Sequence, residues 1–377
     1  MKIAILFSNY GPYHLARLNA FREICEKRQW QLNAVELFRH ETTYPWNELR
    51  TDLPIKTIKP DDARWHSQLT IIPSCLSVLN SIRPNVLIIA GYGSLCLSSV
   101  ILWAKLLNIS IVLMSDSKKN DSSRSPLRES IKKRIVRQCQ AALVCGDIHK
   151  DYLVELGMSD KVIFKGYGSV GNDSFNPSQV RHLPRPLENN FFLTVSRFEK
   201  KKNLHFLIDC YADYLKKSVG RKFDLVICGG GFQKLELERH ISQLGLKHML
   251  HLITFLPLQE LLKYYAHASC LIHASIQEQW GLVVNEAMAA GLPVLVSRAC
   301  GCFNDLVVEG INGYGFDPNN HAELTQLMLK VAAGDFDLAA MGENSLKLIS
   351  SFTPQIFADN LAKAVECALR NQKEAFT

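Results

Sequence analysis

The sequence predicts an α/β protein made of two doubly wound, mostly parallel sheets. Three observations predict it. Short apolar strands alternate with helix-length amphipathic segments along most of the chain. The alternation pauses once, over a proline-bearing stretch at 176–190, and then restarts. And 377 residues are too many for one hydrophobic core. These place a first domain over 1–180, a second over 190–352 and a separate amphipathic helix over 353–377.

The chain opens on a strand, Ile3–Phe7, which Gly11-Pro12 turns into a helix from about Tyr13 to Arg28. A second strand follows at Gln31–Leu37. Val86 to Met114 is apolar enough to be mistaken for a membrane span, but Gly91, Gly93, Lys105 and Asn108 interrupt it. It parses as strand Val86–Ala90, a glycine turn, helix Leu95–Leu107 and strand Ser110–Met114, because strands buried on both faces read as continuous apolar runs. A basic helix at 127–138 and short strands at Ala141–Cys145 and Val162–Phe164 complete the first half. Pro177, Pro184 and Pro186 mark the linker. The second half reads as strand Phe191–Val195, helix Asn203–Ser218, strand Leu225–Cys228 and helix Gln233–Leu244, then strands His251–Phe255, Ala268–His273 and Pro293–Ser297. Pro354 to Asn371 forms the closing helix. Ligands of such sheets bind outside the carboxyl ends of the strands, so chemistry is expected there.

Composition is that of an ordinary globular chain, 47% hydrophobic and 21% charged. The net charge of +7 suits an anionic substrate, membrane surface or nucleic acid without choosing among them; no motif supports nucleic acid. Eleven cysteines without framework spacing, and no secretory leader, point to reduced thiols in the cytoplasm. Cys300-Gly-Cys302 has no second pair at metal-ligand spacing and reads as small buried residues in a turn.

Three blocks carry chemistry. Ser196-Arg197-Phe-Glu-Lys-Lys-Lys202-Asn203 follows a strand and opens a helix. A helix N-terminus already favours anions, and Arg197 and Lys202 make it a phosphate clamp; a solvated basic turn is the alternative. Val226-Ile-Cys-Gly229-Gly230-Gly231 is a strand and glycine turn whose backbone can approach a ligand or the facing domain. Its third fingerprint position falls on Lys234, and the next strand ends without a ribose-binding acid, which disfavours a nicotinamide oxidoreductase. The densest block runs from His273-Ala-Ser275 through Glu278 and Gly281-Leu282-Val283 to Glu286 and Gly291-Leu-Pro293. Glu278 sits in a loop past a strand. Glu286 lies inside a buried apolar helix and needs a partner, either a ligand's vicinal diol or an ion pair to a neighbouring element.

Together these blocks resemble the retaining glycosyltransferases of family 4, which have the two-domain GT-B fold. The resemblance is dense from about 191 to 318 and collinear but weaker before it. It rests on Arg197-x4-Lys202, on Glu278 and Glu286 separated by seven residues, on Glu286-Ala-Met-Ala-Ala-Gly-Leu-Pro-Val, and on Gly301 and Glu309-Gly-Ile-Asn-Gly313. It implies a nucleotide-diphosphate sugar as co-substrate, a saccharide or lipid-linked acceptor, and no metal, since Arg197 and Lys202 would neutralise the leaving diphosphate. Glu286 would hold the donor ribose. Glu278, with the N–H groups near Gly281, Leu282 and Val283, would hold the transferred sugar, and Gly229 and Gly230 would lie near the nucleotide. The closing helix would cross back to the first domain. A GT-B synthase with a sugar-phosphate acceptor and a catalytically silent nucleotide-sugar binder are the alternatives.

Several features stand outside this pattern. Asp335-Phe-Asp337 spells a metal-binding triplet of other glycosyltransferases, but its position between helices predicts capping. Many family members place a histidine after the strand that here ends at Met114; Ser115-Asp116 stands there instead, so Asp116 is assigned to donor or acceptor hydroxyls. Gly11 and His14 fall at the same ligand-facing edge, as acceptor contacts. Arg17 lies one turn from His14, and plain surface is its favoured reading. Arg124, Arg128, Lys132, Lys133, Arg134 and Arg137 make the 127–138 helix basic: a solvated face is favoured, and docking on an anionic membrane is the alternative.

Overall fold

The computed structural model describes residues 1–40, 52–62, 68–121 and 125–374. The chain divides into two compact units, Met1–Val170 with Thr353–Thr377, and Gly171–Phe352. The fold is α/β, with two Rossmann-like parallel sheets of seven and six strands.

In the first unit, β1 (Lys2–Phe7) leads into α1 (Pro12–Lys27) and β2 (Gln31–His40). Then come β3 (Ile55–Asp62), α2 (Gln68–Ile82), β4 (Val86–Ala90), α3 (Leu95–Leu106) and β5 (Ser110–Ser115). The unit continues through α4 (Pro126–Val136), β6 (Ala141–Val144), α5 (Asp147–Glu155) and β7 (Ile163–Lys165). The sheet order is β3-β2-β1-β4-β5-β6-β7, so the winding reverses between β1 and β4. The apolar run from Val86 folds as expected: β5 is buried along its whole length, and Ser94 caps α3 by accepting from Leu97 N at 3.1 Å. Among the described residues no helix is long and apolar enough to cross a membrane. Sequence periodicity gave no element at β3, α2 or α5. Pro73 sits inside α2, and the second half of β3 is Lys59-Pro60-Asp61-Asp62, which hid both.

In the second unit, α6 (Pro177–Val180) precedes β8 (Phe191–Val195), α7 (Leu204–Lys217), β9 (Asp224–Gly229), α8 (Lys234–Gln243) and β10 (Leu250–Thr254). Next are α9 (Leu258–His267), β11 (Cys270–His273), α10 (Leu282–Ala289), β12 (Val294–Ser297), α11 (Phe303–Leu306) and β13 (Gly313–Phe316). The helices α12 (His321–Ala333) and α13 (Leu338–Ile349) close the unit. The sheet order is β10-β9-β8-β11-β12-β13, so here the winding reverses between β8 and β11. Helix α7 shows why the fold holds: Leu204, Leu207, Ile208, Tyr211 and Tyr214 recur at helical spacing and are all buried, each worth roughly 1.5–3 kcal/mol of transfer.

One expectation changes. The stretch 171–190 belongs to the second unit rather than to the first domain or a free linker. Phe175 packs edge-on against Tyr265 at 5.4 Å, Asn172 donates to the Ile349 carbonyl at 3.1 Å, and the Pro177 ring lies against Gly291. Pro177, which looked like a spacer, is packed against the unit, while Pro184 stays exposed. The final helix α14 (Pro354–Glu374) returns to the first unit, as the resemblance implies, and lies there on α1 and on β5, β6 and β7.

Candidate functional site

The turns after β8, β9, β11 and β12 are braided together. After β8 a short 3-10 turn, Lys200–Lys202, ends at Asn203 in the left-handed conformation (φ 58°), and α7 starts there. Phe198 N donates to Gly230 O at 2.8 Å, and Gln233 N donates to Phe198 O at 3.2 Å. This explains the glycines. A Cβ on Gly229 would stand 1.8 Å from Ser196 O, and one on Gly231 2.7 Å from Phe198 O. Gly229 and Gly231 therefore let the β9 turn lie on the Ser196–Phe198 backbone, an intradomain approach, whereas Gly230 meets nothing within 4 Å.

The loop after β11 is stitched to the lysine turn by Ile276 N donating to Lys201 O at 2.9 Å. Gly301 N donates to Glu278 O at 3.1 Å, which ties in the loop after β12. The result brings Lys202 and Glu278 together as an ion pair across the β8–β11 reversal. His273 Nε2 lies 3.1 Å and Ser275 Oγ 3.2 Å from the same carboxylate. Burial opposes ionisation of Glu278, but the His273 hydrogen bond and the Lys202 charge outweigh it and hold the carboxyl well below the usual carboxylate range. A group so held is a permanent acceptor, not a proton donor. Arg197 pairs with Glu199 at 2.9 Å. Both cations of the expected clamp therefore face carboxylates here, and a phosphate would share them.

Gly281 has φ 107° and caps α10, which opens with Leu282 and Val283, whose N–H groups belong to the helix's first turn. Glu286 is 3% exposed and accepts from Tyr265 OH at 2.5 Å. A tyrosine of α9 in the same unit is thus one partner of this buried carboxylate. Sequence reading passed over His273 and Ser275. The signal was there: a histidine ending an otherwise apolar strand five residues before the acidic residue.

In the first unit, Gly11 caps α1, and its N–H donates to His14 Nδ1 at 3.2 Å. The His14 ring lies 4.5 Å from Phe7, and burial, with the Arg17 charge, pushes its pKa down to about 3. His14 is a neutral cap near pH 7 and offers no charge to an anion. Arg17 is not plain surface: it is 4% exposed, donates to Ser169 O through Nε at 2.9 Å and Nη2 at 2.6 Å, and stacks on Tyr167 at 4.9 Å. Asp116 is close enough to raise the Arg17 pKa, though burial, the largest influence, lowers it. Of the basic helix, Lys132 is engaged by Glu129 at 3.0 Å and by Tyr152, and Arg137 packs under Gly157. Arg128, Lys133 and Arg134 are exposed, and Arg124 lies outside the described residues. Asp337 does cap a helix, accepting from Ala340 N at 3.0 Å. Cys300 and Cys302 are buried free thiols, as are the other nine cysteines.

Residues 176–348 match the family model described as "Glycosyl transferases group 1". The D-inositol 3-phosphate glycosyltransferase of Corynebacterium kroppenstedtii is 28% identical over 207 residues, 54% of this chain and 46% of that protein. The alpha-monoglucosyldiacylglycerol synthase of Acholeplasma laidlawii is 26% identical over 189 residues, 49% of this chain and 46% of that protein. The chain thus spans about half the length of the curated relatives it matches. Among solved structures, the lipopolysaccharide outer core galactosyltransferase WaaB matches with a TM-score of 0.72 at 16% identity, over 97% of this chain and 99% of that one. Anabaena Alr3699/HepE in complex with UDP-glucose matches with a TM-score of 0.72 at 17% identity, over 97% and 99%. Both likenesses concern the fold, that of GT-B glycosyltransferases.

Proposed function

We propose that this chain is a retaining, metal-independent glycosyltransferase of the family 4 type, moving a sugar from a nucleotide diphosphate to a saccharide or lipid-linked acceptor in the cytoplasm. The observation that carries the reading is the Lys202–Glu278 pair at the β8–β11 reversal, inside the segment that matches the glycosyltransferase model. Arg197 and Lys202 offer fixed positive charge where a departing diphosphate needs it, and removing one such group in comparable sites costs ~2.7–4 kcal/mol of barrier. The first-turn N–H groups of α10 suit sugar or phosphate oxygens. Glu286, held by Tyr265, keeps acceptor capacity for a ribose diol. Gly229 and Gly230 line the same strand edge. Gly11 and Asp116, on the first unit, are the acceptor-side candidates; His14 supports them as a neutral cap.

The test is hydrolysis of a panel of UDP-, GDP- and ADP-sugars in EDTA, comparing wild type with Glu278→Ala. Slow hydrolysis of one donor by wild type alone supports the reading and names the donor. Absence of both turnover and calorimetric binding of every nucleotide tested overturns it.

One further contact belongs to this reading. Helix α4 leaves Leu127 (70%) and Ile131 (49%) exposed one turn apart, beside Arg128 and Arg134. Helix α3, packed next to it, does the same with Leu102 and Leu106 beside Lys105. Apolar pairs flanked by cations fit an anionic bilayer, where a lipid-linked acceptor would reside. Vesicles with phosphatidylserine should float the protein and neutral vesicles should not; equal flotation removes the membrane contact.

A further inference from the structure

Glu278 receives its donors unequally. Lys202 Nζ, His273 Nε2 at 3.1 Å and Ser275 Oγ at 3.2 Å all converge on one oxygen, Oε2. None of these three hydrogen bonds goes to Oε1, so one oxygen of the carboxylate takes all three donors.

We propose that His273 and Ser275 are positioning residues: with Lys202 they pin Glu278 Oε2 and present Oε1 as the fixed acceptor for a single hydroxyl of the transferred sugar. The inference rests on the glycosyl-transfer reading and deepens it. The donors are of different kinds, and that matters. Lys202 supplies one countercharge. His273 is buried, and burial lowers its pKa, so it is neutral and Nε2 must carry its proton to meet a carboxylate. Ser275 is neutral as well. Three donors thus fix the direction of the carboxylate while only one formal charge offsets it, leaving Oε1 a strong acceptor. A freely rotating carboxylate would lose orientation with each rotamer change, and misplacement by about 1 Å can cost ~10²-fold in rate. Among the described residues the Cys302 thiol also lies close enough to Glu278 to feel its charge, and burial, the largest influence, pushes that thiol well up, so it stays neutral. Gly281 lies against the arrangement, where a Cβ would make ordinary contact with His273 Nε2 and Glu278 Cγ, and its φ of 107° is what calls for glycine.

The experiment uses the full chain and whichever donor of the UDP-, GDP- and ADP-sugar panel is turned over. kcat, KM and the pH profile are measured for His273→Phe, His273→Gln, His273→Asn and Ser275→Ala. His273→Phe should lower kcat ~10²-fold with KM within about threefold. Its acid limb should move to higher pH, because the carboxylate loses a donor that holds it ionised. His273→Gln, whose amide N–H reaches the Nε2 position, should stay within about tenfold of wild type. His273→Asn, with the same chemistry and a shorter reach, should resemble His273→Phe, and it carries the test if His273→Phe fails to fold. Ser275→Ala should lose about three- to tenfold. Equal kcat for the Gln and Asn variants, or an unmoved acid limb in His273→Phe, overturns the positioning role while wild-type turnover leaves the glycosyltransferase reading standing. No turnover or nucleotide binding by wild type overturns both.

Discussion

The turn after β1 and the turn after β11 are built alike and used differently. Each leaves a buried parallel strand beside the reversal of its sheet and feeds a helix through a glycine, Gly11 in one and Gly281 in the other. In the first unit the polar side chains are consumed inside the fold. His14 closes a cap on Gly11 and is held neutral, and Arg17 is tied to the Ser169 carbonyl and covered by Tyr167. In the second unit the polar groups converge on one oxygen of a carboxylate and hold it ionised. A titratable side chain at a strand end therefore says little until its partners are known: the first turn is scaffold, and the second gathers its donors on one acidic side chain, where the proposed site lies.

The comparison breaks or sharpens under substitution. Glu278→Gln has the largest expected effect, a loss of ~10²–10³-fold in donor turnover. It also changes acid stability, with a sign that follows from the depressed pKa: the wild-type contribution is complete above the ordinary value of 4.5 and fades as pH falls through the folded-state value. The gap in melting temperature between wild type and Glu278→Gln should therefore narrow below about pH 4.5. Arg17→Met should cost about 3 kcal/mol of first-unit stability, read by denaturant melts, because it leaves the buried Ser169 carbonyl without its charged donor. Unaltered stability would show that Arg17 is spare, and with it the scaffold side of the comparison.

Gly229→Ala should cost about 2–3 kcal/mol, since φ is 155° and the new Cβ would strike Ser196 O, whereas Gly230→Ala should change stability by less than about 0.5 kcal/mol. Equal effects would refute the intradomain account of these glycines. The smallest effect is at His14. Its folded-state pKa lies near 3 against an ordinary 6.5, so the unfolded chain binds the proton more readily, and stability falls as pH drops through that window. From about pH 6.5 to about pH 5, wild type should lose about 1–2 kcal/mol that His14→Gln does not lose, the ring being partly open to solvent.

The legible parts of the molecule were those where pattern and structure share a cause. Strands buried on both faces must be apolar throughout, so β4, β5 and β11 were plain. Helix α14 announced itself by periodicity. The paired spacing of Glu278 and Glu286 marked the block in which the structure gathers Lys202, His273 and Ser275 around Glu278. Elements with a misleading residue inside them, such as α2 with Pro73, were not legible, and nor was 171–190, where Phe175 and Pro177 pack against the second unit.

The sequence by itself determined the two wound sheets, most of their elements and the residues of the candidate site, because local propensity and burial periodicity act over a few residues. Only the tertiary structure decided partners. Tyr265 reaches Glu286 across 21 positions, Lys202 reaches Glu278 across 76, and Arg17 reaches Ser169 across 152. Which oxygen of Glu278 is anchored, and whether a histidine is a neutral cap or a donor to a carboxylate, depends on ångström-scale placement by strands distant in the chain. A hydrogen bond is set by distance and direction between atoms, and neither is encoded in spacing along the sequence.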